Sequence, residues 1–296
     1  MATTFTSPGL TKATTEALVA AQPELNVARL FANDMSDEFA DINATVKVPL
    51  IGDATVNDFD ISSNDYENAS GSVTYADIKL NKQPKATFEF KGADVLEAPN
   101  APYWNKVALS GANAVKKSIS QYLGGLFTTA ACTGGSVTVS SVTKANIAKL
   151  RGECVGRISE TVLGLDPTYF AELLSLLDSN VYGGDEAIKQ GYIPGLYGFK
   201  AVVPMYDLPA ATTGDNATPA VKGVLVHENA VAFASRAVAV ADPAAYTEFG
   251  SAADDFGFTI TTLRHGAPGK GKAFLNMTAL YGAKIINGAA VKYIHA

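Results

Sequence analysis

APYWNKVALSGANAVKKSISQYLGGLFTTAA, residues 101–131, is the stretch on which the reading of this chain turns. Trp104, Val107, Ala108, Ala112, Val115, Ile119, Tyr122, Leu123 and Leu126 recur at steps of three and four, which places them on one stripe of an α-helix. Lys106, Lys116, Lys117 and Gln121 fall mostly off that stripe and are expected to face water. Pro102 suits a first helical turn, where its missing N–H is not needed, and Gly124-Gly125 weakens the last turns. A run of roughly 25–30 residues is about 40 Å long, more than twice the length of an average globular helix. The stripe is narrow and rich in Ala and Ser, so whatever packs on it can approach closely. By itself it fits an ordinary core helix. The segments around it decide.

A chain of 296 residues can bury a sizeable core as one large domain or two smaller ones. Charged residues make up only 18% of it, a low-charge surface that points to extensive contact with other protein. The formal charge of −6 argues against a dedicated nucleic-acid binder, which shows a basic face. Cys132 and Cys154 are too few for a disulfide scaffold or a structural zinc site, and a reducing compartment is the simpler reading. No apolar run reaches membrane-spanning length. MATTFTSPGLTKATTEA lacks the basic and apolar regions of a signal peptide, so a soluble cytosolic product is expected.

In chain order, residues 1–43 read as a Thr- and Ala-rich arm. Residues 44–51, ATVKVPLI, alternate as a strand, and Pro49 confines that strand to an edge. Residues 52–92 begin polar and turn-rich. SVTYADIKL and KATFEFKG follow, separated by Asn81-Lys82-Gln83-Pro84, and together they predict a long β-hairpin that must pack on something to be stable. Asp58, Asp60, Asp65 and Glu67 invite a calcium reading but lack the glycine and closing glutamate of an EF-hand loop. After Thr133-Gly134-Gly135-Ser136, residues 140–240 alternate helices and strands as a mixed α/β unit. Residues 241–296 are strand-rich and are expected to return onto the long helix.

No catalytic constellation is present in the pattern, and no enzyme activity, cofactor or metal is expected. His227, His265 and His295 are widely spaced, and no Gly-x-Ser-x-Gly elbow occurs. Gly266-Ala267-Pro268-Gly269-Lys270-Gly271-Lys272 matches a phosphate loop after an expected strand. Ala273, however, stands where a Ser or Thr hydroxyl must hold magnesium, and Pro268 removes a backbone donor.

The order of parts resembles the major capsid protein of tailed bacteriophages, the Hong Kong 97-like family, whose fold encapsulin shells share. ETVLGLDPTYFAELLSLLDSN, GYIPGLYGFKAVVPMYDLP, VLVHENAVAFASR and TLRHGAPGKGKAFLNMTALYGAKIING carry the resemblance, which covers most of residues 45–296. It implies an α+β fold with an N-arm (1–43), a strand leading into the loop (44–51), an extended β-hairpin loop (52–92), a peripheral domain with a spine helix (93–139 and 241–296) and an α/β axial domain (140–240). It also implies a structural protein that self-assembles into pentamers and hexamers of an icosahedral shell enclosing a phage genome. The expected place is the virion capsid, after assembly in the host bacterial cytoplasm.

The partners this implies are many copies of the chain, with a separate scaffolding protein, a portal and a decoration protein besides. Double-stranded DNA would be held only non-specifically, and no membrane is involved. The candidate assembly residues are Tyr192, Gly195, Tyr197 and Gly198 in the turn before Phe199, and Asp58, Tyr66 and Lys82 in the loop region. Gly195 and Gly198 are the positions expected to adopt positive φ. An encapsulin-type container and a nucleotide-binding enzyme built on Gly266–Lys272 are the alternatives.

Overall fold

The structure, a computed structural model, describes residues 29–36, 43–51, 73–91, 101–177, 193–213, 217–239, 248–253, 258–267 and 272–296. The long helix forms as the stripe requires. Helix α1 runs Ala101–Leu126, 26 residues. Ala112, Val115, Ile119 and Leu123 are buried, Tyr122 and Leu126 half-buried, and Lys117 and Gln121 exposed. The side chain of Trp104 lies outside the described residues.

The early strands are β1 (Ala32–Asp34), β2 (Thr45–Ile51), β3 (Val73–Lys79) and β4 (Lys85–Lys91). After α1 come β5 (Ser136–Thr138), α2 (Lys144–Gly152), β6 (Thr161–Leu165), α3 (Pro167–Leu176), β7 (Ile193–Pro194), β8 (Ala201–Pro204) and β9 (Gly223–His227). The remaining strands are β10 (Val231–Arg236), β11 (Glu248–Ala253), β12 (Thr259–Ala267), β13 (Lys272–Thr278), β14 (Leu280–Ile285) and β15 (Val291–His295). Among the described residues they build sheets of order β5-β15-β9-β6-β8-β7, β11-β12-β13-β4, β1-β10-β14 and β2-β3.

Alternation within single strands explains how the layers stack. In β8 and β9, Val203, Val224 and Val226 point to the core that holds α1, while Val202 and Leu225 point the other way, onto Ile147 and Leu150 of α2 and Tyr169 and Leu173 of α3. A sheet buried on both faces needs such apolar runs. Strand β10 works likewise. Val231 and Phe233 enter the α1 core, and Ala232 and Ala234 face Val48, Ile78 and Leu80 of the β2–β3 ribbon. The helices are locally specified: Thr143 caps α2 by accepting the Asn146 N–H at 3.2 Å, and Asp166 caps α3, with Pro167 at its first position.

The expected hairpin of SVTYADIKL with KATFEFKG does not form. β3 pairs antiparallel with β2, and β4 pairs antiparallel with β13. The connector is the reason. Leu80 is fully buried and exchanges backbone bonds with Asn43 and Ala44, which locks it to the segment entering β2. Two residues on, Lys82 and Tyr281 bond reciprocally, Lys82 N–H to Tyr281 O at 3.2 Å and Tyr281 N–H to Lys82 O at 3.0 Å. The connector is thus tied to the β14 end and delivers β4 to the edge of β13. β3 passes β14 so closely that a Cβ on Gly282 would collide with the Lys79 carbonyl.

Two other strands cross the boundaries drawn from sequence. β10, grouped with residues 140–240, pairs with β1 and β14. β15, grouped with residues 241–296, pairs with β5 and β9. Both carry apolar residues on each face, so either sheet could accept them by composition, and neighbouring strands decide.

Candidate assembly surfaces

The β2–β3 ribbon has one buried face and one open face. Val48, Ala76 and Ile78 are buried against the β10–β14 layer, whereas Val73 is 57% and Tyr75 68% exposed on the other side. Pro49 lies opposite Tyr75, on a strand whose second edge carries no partner among the described residues, as an edge proline requires. Ile51 and Val73 are direct partners, so the chain leaves and re-enters the ribbon at one point. Residues 52–72, with Asp58 and Tyr66, are carried from that end and lie outside the described residues.

The turn before β8 is strained as its glycines suggested. Gly195 has φ 66° and Gly198 φ 87°, and Tyr197 between them has φ 53°. The tyrosine was not expected there, since left-handed backbone costs a residue with a Cβ about 1–2 kcal/mol. Tyr197 is half-buried in its own subunit, where it lines an apolar cavity of about 10 Å³ with Ile147, Leu165 and Tyr169. That ring is therefore only partly available to a neighbour. Tyr192 lies outside the described residues.

Lys82 belongs to a junction that sequence did not reveal. The residue is exposed, yet its backbone is bonded to Tyr281, and its ammonium sits 5.4 Å above the Tyr122 ring. The Tyr122 hydroxyl donates to the Ala283 carbonyl at 3.0 Å and accepts the Ala283 N–H at 3.1 Å. Tyr281 is fully buried, shares a 3.1 Å bond with Ser118, and has its hydroxyl pushed up to about 12 by burial. Two tyrosines and one lysine thus pin α1 to β14. The only sequence signal was a tyrosine in each of two apolar segments, with no spacing to link them.

The phosphate-loop reading fails on topology. Residues Thr259–Ala267 and Lys272–Thr278 are adjacent antiparallel strands, with Ala267 opposite Lys272, so the glycine-rich turn joins strand to strand. A phosphate loop leads from a strand into a helix whose N-terminus holds the anion. Lys272 is instead paired with Glu89 across the sheet. The histidines serve local contacts: His227 with Glu160 at 3.2 Å, His265 stacked on Phe274 at 5.2 Å, and His295 with Thr138 at 3.2 Å. Among the described residues, no group of three or more His, Cys, Asp or Glu could hold a metal ion. Both cysteines are free. Among the described residues no helix is long and apolar enough to cross a membrane.

No family model and no curated protein matches the sequence. Solved structures do. The capsid of a native GTA particle aligns with a TM-score of 0.53 over 90% of this chain and 89% of that one, at 12% identity. The capsid of Cyanophage P-SCSP1u aligns at 0.51 over 91% and 87%, with 14% identity. A virus-like particle from Pyrococcus furiosus aligns at 0.51 over 96% and 98%, with 11% identity. This chain has the Hong Kong 97-like capsid fold. The long spine helix of that fold is α1. β2 and β3, which flank residues 52–72 in sequence, form an antiparallel ribbon in place of the hairpin that sequence suggested.

Proposed function

We propose that this chain is a shell subunit whose copies form pentamers and hexamers and close an icosahedral capsid around a phage genome. The observation that carries the reading is the open face of the β2–β3 ribbon. One face of the ribbon is packed on the β10–β14 layer, and the other directs a valine and a tyrosine outward, away from its own subunit, as a protein contact surface does. A neighbouring copy supplies the cover. The division into arm, extended loop, peripheral and axial regions follows from this reading, as does a role at a capsomer axis for the 192–198 turn. A scaffolding protein, a portal and a decoration protein fit the same reading, as do assembly in the host bacterial cytoplasm and a non-catalytic role. With a net charge of −6, the shell would hold double-stranded DNA without specific recognition.

The test is Tyr75→Asp in the full chain, followed by size-exclusion chromatography with light scattering. The account expects folded, unassembled subunits, because the substituted side chain makes no buried contact within its own subunit. Normal shells from Tyr75→Asp would contradict the role given to the ribbon face. The likeness to a virus-like particle along nearly all of both chains favours a second reading, an encapsulin-type protein container. The contents of purified particles separate the two: packaged nucleic acid supports the phage shell and packaged protein the container.

A further inference from the structure

The chain passes from the six-stranded sheet to the β10–β14 layer through only Glu228, Asn229 and Ala230, between His227 at the end of β9 and Val231 at the start of β10. The turn closes through the Ala230 N–H to the His227 carbonyl at 2.9 Å. The Ala230 carbonyl accepts the N–H groups of Ile286 and Asn287, at 2.8 and 3.2 Å. The Asn229 side chain accepts a bond from Asn33 Nδ2 of the arm strand at 3.1 Å. Axial sheet, β14 and N-arm strand therefore meet at one short crossover.

The His227 ring is the side chain that holds this crossover from within. The Asn229 N–H donates to His227 Nδ1 at 3.4 Å, which makes Nδ1 an acceptor and leaves the ring proton on Nε2, facing Glu160 Oε2 at 3.2 Å. Gly156, at φ 79°, runs under the ring, where a Cβ would stand 3.2 Å from Cδ2. The charged groups around it are Glu160 from the turn Ile158–Glu160, Arg157 with Nη1 3.8 Å from Glu160 Oε1, and Glu228, paired with Lys200 at 2.7 Å.

We propose that His227 is a protonation-sensitive latch on the crossover between the axial sheet and the arm-bearing layer. A second ring proton must go to Nδ1. That nitrogen then presents a hydrogen to the Asn229 N–H, and the bond is lost. The imidazolium is drawn toward the Glu160 carboxylate on its other side, away from the turn. The Asn229 amide is released, and with it the Asn229–Asn33 tie to β1. Acidification loosens the crossover and its side-chain tie to β1, while the ladder of β1 with β10 stays paired. The device operates within one subunit and does not depend on the proposed shell function.

Hydrogen exchange of the full chain, read by mass spectrometry on peptides spanning residues 224–236 and 29–36, tests this. Between about pH 8 and about pH 5.5, after correction for intrinsic exchange, protection at Asn229 and Ala230 should fall about tenfold. His227→Gln should remove the pH dependence. Glu160→Gln, which keeps the ring and the turn but removes the carboxylate that draws the imidazolium away, should make the fall smaller. Protection that is unchanged across this range in the wild-type chain overturns the latch, as does an equal fall in His227→Gln. Should His227→Gln fail to fold, a fall in Glu160→Gln as large as in the wild-type chain overturns it.

Discussion

Ile119 sits at 0% exposure in the middle of α1, among Phe233, Tyr281 and Met277 in one contiguous core. Truncation there removes apolar contact and leaves a cavity that the helix backbone cannot close. Ile119→Ala is expected to cost about 2–5 kcal/mol in chemical denaturation of the unassembled subunit. A loss below about 1 kcal/mol would show that α1 is not packed as described. The cysteines give a second check. Burial pushes the Cys132 thiol up to about 12 and also raises half-buried Cys154. A thiol whose value lies that high stays protonated, hence unreactive, throughout the neutral range. In the native protein at about pH 8, a thiol reagent should label Cys154 slowly and leave Cys132 untouched, and both should react once the chain unfolds. Rapid native labelling of Cys132 would contradict its place in the core.

At the scale of elements, the ribbon has one face buried within the subunit and one open face, and the proposed role in assembly belongs to the open one. Ile51 and Val73 are already partners, so a loop of the five residues 52–56 is long enough to connect β2 to β3. Deleting residues 57–72 should therefore leave a folded subunit, by circular dichroism and thermal melting, that no longer assembles. Shells of normal size from this deletion would remove the loop from assembly. Helix α1 was legible because its stripe depends only on local spacing. The partner of β3 was not. Asn81-Lys82-Gln83-Pro84 has the composition of a tight turn, and what overrides it is burial of Leu80 and the reciprocal bonds of Lys82 with Tyr281, about 200 residues away in sequence. The 266–272 turn misled in the same way. Its letters suit a phosphate loop, and only the antiparallel register of Thr259–Ala267 with Lys272–Thr278 excludes one.

For the whole molecule, the order of parts said more than any motif: arm, extended loop, long helix, α/β unit, strand-rich return. The long helix, the α/β alternation and the strand-rich return were legible because each has its own periodicity, whereas the arm and extended loop belong to the proposed reading. Which sheet β10 and β15 join was not legible, since strands apolar on both faces fit either sheet. The glycines at 195 and 198 were read correctly as left-handed positions, while strain at Tyr197 carries no sequence signal. The low charge density and the exposed Val73–Tyr75 face both fit a chain that is completed by its copies. Negative-stain electron microscopy of the expressed full-length chain tests that claim most directly. The account predicts hollow isometric shells of uniform diameter, and a protein that remains a dispersed monomer under every assembly condition, scaffold included, would contradict it.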